Sequence, residues 1–169
     1  GGIVRELLIG LEVMHNSDLL HRDIKPDNII FVDGRAKLSD PGLVADATAE
    51  NSIAGTPGFI PPEMVSDGLP ADRKSDLYAM GKLYYCMVTG NALREYPLLP
   101  VSMPFSVRRQ IFPALARMCN RNPSKRFSTA SEFLKSLPVH IESPGFGERK
   151  YADFKDWKNI FSSVLGLQI

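Results

Sequence analysis

Asp23, Lys25, Asn28 and Asp40 are the residues of this sequence whose types and spacing could do chemistry together. The first three fall within His21-Arg22-Asp23-Ile24-Lys25-Pro26-Asp27-Asn28, and the fourth lies in Ser39-Asp40-Pro41-Gly42. Carboxylates, an ammonium and an amide are the group types that phosphoryl transfer uses. That reaction demands in-line placement of an acceptor hydroxyl and neutralisation of charge spreading over the phosphoryl oxygens, rather than a strong nucleophile from the protein. Read one at a time, each residue is a solvated turn residue; the ordered set carries the reading.

Such groups need elements to position them. Val4, Leu7, Leu8, Leu11 and Met14 recur at helical spacing, so residues 3–15 are expected to form a helix ending near Asn16. Residues 29–32 and 36–38 read as two short strands around Asp33-Gly34, a pair that tolerates the positive φ of a tight turn. Residues 41–62 are rich in Gly, Ala, Ser, Thr and Pro and read as a long loop. Leu77, Met80, Leu83, Tyr84, Met87 and Val88 mark a nearly all-apolar, buried helix over 74–89, with Gly90 placed to stop it. Another helix is expected over 106–119, and a further one starting with Ser128 as its N-cap. Beyond Leu137 the character changes. Pro138, Pro144, Gly145 and Gly147 make a linker, and Phe154, Trp157, Phe161, Val164 and Leu165 fall on one face of a tail helix. The expected organisation is therefore a domain over 1–137 and an extension over 138–169.

Composition sets the outer limits. The 169 residues are 44% hydrophobic, enough for a core without metals or disulfides. Twenty basic against 19 acidic side chains give no field that would attract nucleic acid or an anionic membrane through bulk charge. Cys86 and Cys119 sit in apolar patterns without metal-ligand spacing and are expected buried and reduced, which suits a cytoplasmic setting. No run approaches a membrane span.

The segment 21–28 followed by 39–42 closely resembles the catalytic loop and metal-binding motif of eukaryotic-like Ser/Thr protein kinases. Gly55-Thr56-Pro57-Gly58-Phe59-Ile60-Pro61-Pro62-Glu63 then closes a loop of family length, in a form similar to bacterial members, and the matches continue to Arg126. The resemblance implies a mainly α fold, the C-terminal lobe of a kinase, with a small β-hairpin carrying the catalytic and metal-binding loops. It implies ATP and Mg²⁺ as cofactors and a protein as substrate. By the same resemblance Asp23 would accept or orient the substrate hydroxyl's proton, and Lys25 would reach the transferring phosphate and point to Ser or Thr acceptors. Asn28 and Asp40 would hold Mg²⁺, Ile30 would lie under the adenine, and Thr56 would hydrogen-bond the base. Arg22 would pair with a phosphorylated loop residue, Ser52 first and Thr48 second. His21, Asp76 and the Glu63–Arg126 ion pair would be architectural: a packed ring, an acceptor for the catalytic-loop backbone and a tie on the loop.

Three departures shape the expectation. No Gly-rich phosphate loop, strand Lys or helix Glu precedes Ile3, so the N-terminal lobe is expected to be missing from this chain, leaving it inactive with weak ATP binding. Pro41 stands where the family usually has Phe, which removes an aromatic plug and fixes φ. Residues 91–105, with Pro97, Pro100 and Pro104, look too short for the family's substrate-docking helix. A pseudokinase or interaction module is the alternative to the enzyme. The tail helix is expected to pack on its own lobe; binding a partner, or a homodimer through the tail or exposed lobe surface, is the alternative.

Overall fold

The structure, a computed structural model, describes residues 2–39 and 55–138. Asp40, Pro41, Thr48, Ser52 and the tail helix lie outside the described residues. Within them the chain is mainly helical, with one two-stranded antiparallel sheet, as the sequence led us to expect.

Helix α1, Gly2–Asn16, buries Val4, Leu7, Leu8 and Leu11 on the predicted stripe, and His15 continues it. Strands β1, Ile29–Val32, and β2, Arg35–Leu38, pair in the register Ile29↔Leu38 to Val32↔Arg35. Their turn residues Asp33 and Gly34 have φ of 51° and 73°, the doubly positive conformation that matches the twist of a hairpin. Glu6 ties the hairpin to α1 by accepting the Ala36 N–H at 2.7 Å.

Short helix α2, Pro62–Asp67, precedes α3, Arg73–Thr89, which starts one residue earlier than its apolar period suggests. Asp72 caps it: its carboxylate accepts the Ser75 N–H at 2.8 Å while Ser75 Oγ accepts the Asp72 N–H at 3.0 Å. Gly90, at φ 69°, ends it. Every residue from Ser75 to Cys86 is buried, so α3 runs through the core, with α4 packed against it. Gly81 permits the close approach of α4, because a Cβ there would lie 2.8 Å from Met118 Cβ.

Helix α4, Phe105–Met118, turns Val107, Ile111, Ala114, Leu115 and Met118 inward. Helix α5 runs Ala130–Ser136, and here one expectation is corrected. Thr129, not Ser128, is the N-cap: Thr129 Oγ1 accepts the Glu132 N–H at 3.0 Å, and Glu132 Oε2 accepts the Ser128 N–H at 2.8 Å. Glu132 sits three residues after Thr129, the spacing at which a carboxylate folds back over the helix start. Stacked Phe127 and Phe133 close the core beneath Tyr84. Cys86 and Cys119 are buried free thiols, and burial pushes them up to about 12 and about 11. Among the described residues no helix is long and apolar enough to cross a membrane.

Candidate active site

The loop between α1 and β1 carries Asp23, Lys25 and Asn28, and the structure brings Thr56 onto Asp23 and Lys25 from more than thirty residues away. Asp23 Oδ1 accepts the Thr56 hydroxyl at 2.8 Å; Oδ2 accepts the Lys25 ammonium at 2.8 Å and the Asn28 amide at 3.1 Å. Lys25 also donates to Thr56 Oγ1 at 3.0 Å, so the hydroxyl's single proton is directed to Asp23. Partial burial would raise the Asp23 carboxyl, but the hydrogen bonds from Lys25, Thr56 and Asn28 and the Lys25 charge outweigh it. They hold Asp23 below the usual carboxylate range.

Local backbone chemistry fixes this cluster. Pro26 opens a single 3₁₀ turn, Pro26–Asn28, where its fixed φ and missing N–H are tolerated. Asn28 then anchors both ways, donating its side-chain amide to Asp23 O at 2.8 Å and accepting the Ser39 N–H on its carbonyl at 2.9 Å. Gly55 delivers Thr56: its φ of 136° strains any other residue, and a would-be Cβ would sit tightly, 3.0 Å from Ile60 Cγ1 and 3.3 Å from Arg22 O.

Beneath the loop lies Asp76, buried in the first turn of α3. Its carboxylate accepts the backbone N–H of His21 at 2.9 Å and of Arg22 at 2.8 Å, and the His15 Nε2–H at 2.9 Å. His15 is a functional neighbour that the sequence reading missed. Its signal was a polar residue continuing the apolar stripe of α1, a place where a buried ring nitrogen needs a partner. His21 is buried too, and its Nε2 meets the Ser39 carbonyl at 3.2 Å. That contact places the proton on Nε2 and leaves Nδ1, which has no partner among the described residues, as the unprotonated nitrogen. Burial lowers His21 below the ordinary imidazole value, with Asp76 opposing it. Arg22 carries a buried Nε that has no hydrogen-bond partner among the described residues.

A second centre, apart from this cluster, ties α2 to the bottom of the lobe. Arg126, with no exposed side-chain surface, forms a two-pronged ion pair with Glu63 at 2.5 and 2.7 Å and donates its Nε to Asn120 O at 2.8 Å. Its guanidinium lies 4.7 Å from the centre of the Tyr78 ring. Ile30 lies on β1 with its side chain partly open to solvent.

The donor chemistry fits a hard divalent cation. Asn28 commits its amide nitrogen to Asp23, and among the described residues no hydrogen bond reaches its Oδ1, an oxygen of the type such ions prefer. Asp40, the expected second ligand, lies outside the described residues, and within them no three His, Cys, Asp or Glu side chains converge.

Comparison with known proteins comes to the same place. The protein kinase domain family matches residues 1–137. Serine/threonine-protein kinase PknL of Mycobacterium tuberculosis is 43% identical over 85% of this chain and 42% of its own length. PknA of Nostoc sp. is 36% identical over 83% of the chain and 28% of its own length, and KIC1 of Saccharomyces cerevisiae is 34% identical over 85% and 15%. The chain thus spans less than half the length of these relatives.

Proposed function

This chain belongs to the protein kinase family, with serine/threonine kinases as its relatives, and from that premise we propose that it supplies the acceptor side of an active site moving the γ-phosphoryl group of ATP to a Ser or Thr hydroxyl of a protein. The observation that carries the proposal is the state of Asp23. A carboxylate offers about four lone-pair sites, and Thr56, Lys25 and Asn28 occupy three of them. The site that is left accepts the O–H of an incoming alcohol. Because Asp23 is held below the usual range, it is a weak base, suited to orienting the hydroxyl and taking its proton late, as the new P–O bond forms and the bond to ADP breaks. Lys25 lies close enough to shift from Asp23 to the anionic phosphoryl oxygens as charge gathers there. Asn28 and Asp40 would hold Mg²⁺, which would supply charge neutralisation on the nucleotide's phosphates. Arg22, with Ser52 or Thr48 phosphorylated, is the proposed regulatory pair.

The sequence holds the floor of a nucleotide site but no Gly-rich phosphate loop. We therefore expect these residues alone to bind ATP weakly and to transfer no phosphate, the N-terminal lobe being the partner that completes the site. Residues 138–169 are proposed as an extension packing on this lobe. Reduced, buried thiols fit a cytoplasmic protein. Pro41 favours a second reading, a pseudokinase that binds partners without catalysis. The two separate in one assay: with the N-terminal lobe present, Mg²⁺ and labelled ATP, label appears on Ser or Thr of a protein acceptor. No transfer above the background of an Asp23→Asn variant establishes the binding module instead.

A further inference from the structure

Between α3 and α4 the chain has one 3₁₀ turn, Leu93–Glu95, yet its backbone is tied down from several sides. Lys82, buried within α3, sets its ammonium 3.6 Å from the centre of the Tyr96 ring, and among the described residues it has no carboxylate partner. Tyr85 Oη and Asn91 Nδ2 both donate to Leu98 O, at 2.6 and 3.0 Å. The Arg108 guanidinium spans the carbonyls of Pro100, Val101 and Met103 at 2.6, 2.9 and 2.9 Å. Ordering so many long side chains and desolvating an ammonium is costly, and the result is a fixed irregular backbone.

What that backbone presents outward is apolar. Val101 is 96% exposed and Phe105 75% exposed, with Leu98 beside them in sequence and Phe112 on the outer face of α4. Phe105, Arg109 and Phe112 stand at i, i+4 and i+7, so they form one stripe opposite the buried face of Val107, Ile111 and Met118. Scattered exposed apolar residues are ordinary, whereas a stripe on a pinned support marks an interaction surface. A shallow, open depression beside it is lined by Phe105, Ser106, Arg109 and Gln110.

Charge narrows the occupant. Helix α4 contains Arg108, Arg109 and Arg117 and no acidic residue. Arg108 is committed to backbone carbonyls and Arg117 to Glu132, while Arg109 has no partner among the described residues. A single unpaired cation between two exposed rings calls for one acid between two apolar groups. We propose that this face docks a helical segment of a partner protein carrying an acidic side chain flanked by apolar ones at helical spacing, the acid on Arg109 and the apolar pair on Phe105 and Phe112. An anionic bilayer is the less favoured occupant, because membrane surfaces select clusters of basic residues and this stripe has one. Preorganisation of the support reduces the ordering penalty of docking. The inference does not depend on catalysis.

The test uses a fluorescent 15-residue helix-forming peptide with Leu, Glu and Leu at i, i+4 and i+7, and a second peptide with Lys in place of Glu. Fluorescence anisotropy should show saturable binding of the Glu peptide, weakened about tenfold or more by Phe105→Ser and by Arg109→Glu. Both variants are expected to keep the wild-type melting temperature, since the side chains changed are exposed. The Lys peptide should bind Arg109→Glu better than it binds wild type. Absent binding, binding indifferent to both substitutions, a dimer abolished by Phe105→Ser, or co-sedimentation with phosphatidylserine vesicles in place of peptide binding would each overturn the proposal.

Discussion

The Asp76 carboxylate accepts the backbone N–H of Arg22 at 2.8 Å, and Arg22 itself holds a positive φ of 66°. A non-glycine residue in that region costs on the order of 1–2 kcal/mol, so something must hold it there. Asp76 does so from the most buried helix of the lobe, and the strained residue is the immediate neighbour of Asp23. The backbone beside Asp23 is thus held by α3 through a buried carboxylate, which on the proposed function makes Asp76 a positioning residue.

Asp76→Ala should therefore lower kcat well beyond any change in KM, measured on a protein containing both lobes. It leaves the N–H groups of His21, Arg22 and His15 without their acceptor. A loss of roughly 3–5 kcal/mol in denaturant unfolding is expected. An unchanged unfolding midpoint would show that water replaces the carboxylate.

Glu63 and Arg126 provide a cleaner stability test because Arg126 is wholly buried. Glu63→Ala strands a charge and should cost about 3–5 kcal/mol, whereas Glu63→Leu combined with Arg126→Met should lie much nearer wild type. Urea unfolding of both variants checks this; equal losses would mean that the pair contributes little beyond its packing.

The His21 ring gives a pH signature with a definite sign. Its folded pKa lies below the ordinary value of 6.5, so the unfolded chain binds the proton more readily. Its contribution is fully present above about pH 6.5 and is lost as pH falls through the lower folded value. Imidazole NMR titration should place the His21 midpoint below 6.5; a midpoint above it contradicts the burial argument.

Thr56 is predicted to tune Asp23. Thr56→Val removes the donor to Oδ1, so the Asp23 carboxyl should rise and the acid limb of the kcat profile move to higher pH. A fall in kcat of about tenfold to a hundredfold is expected, with ATP KM nearly unchanged. Serine at this position should restore most of the rate, since it keeps the hydroxyl.

Much of this was legible in the residues. The apolar period located α1 and α3, and Asp33-Gly34 announced the hairpin, because those features are local. The reach of Thr56 to Asp23 and of Arg126 to Glu63 came from resemblance alone, since nothing in composition or periodicity links residues so far apart in the chain. His15 was missed because a histidine on an apolar stripe gives no sign of the partner it will find. The cap of α5 shifted by one residue because Ser128 and Thr129 are equivalent by type, and only the position of Glu132 decides between them.

Transfer of the γ-phosphate of labelled ATP to a Ser/Thr-containing protein, in a single turnover by the two-lobed protein, tests the central claim most directly. Wild type should place label on Ser or Thr; Asp23→Asn should lose nearly all of it while keeping the wild-type fold; and Glu132→Gln, in α5 and outside the Asp23 cluster, should behave as wild type. Label transferred at an undiminished rate by Asp23→Asn would contradict the account.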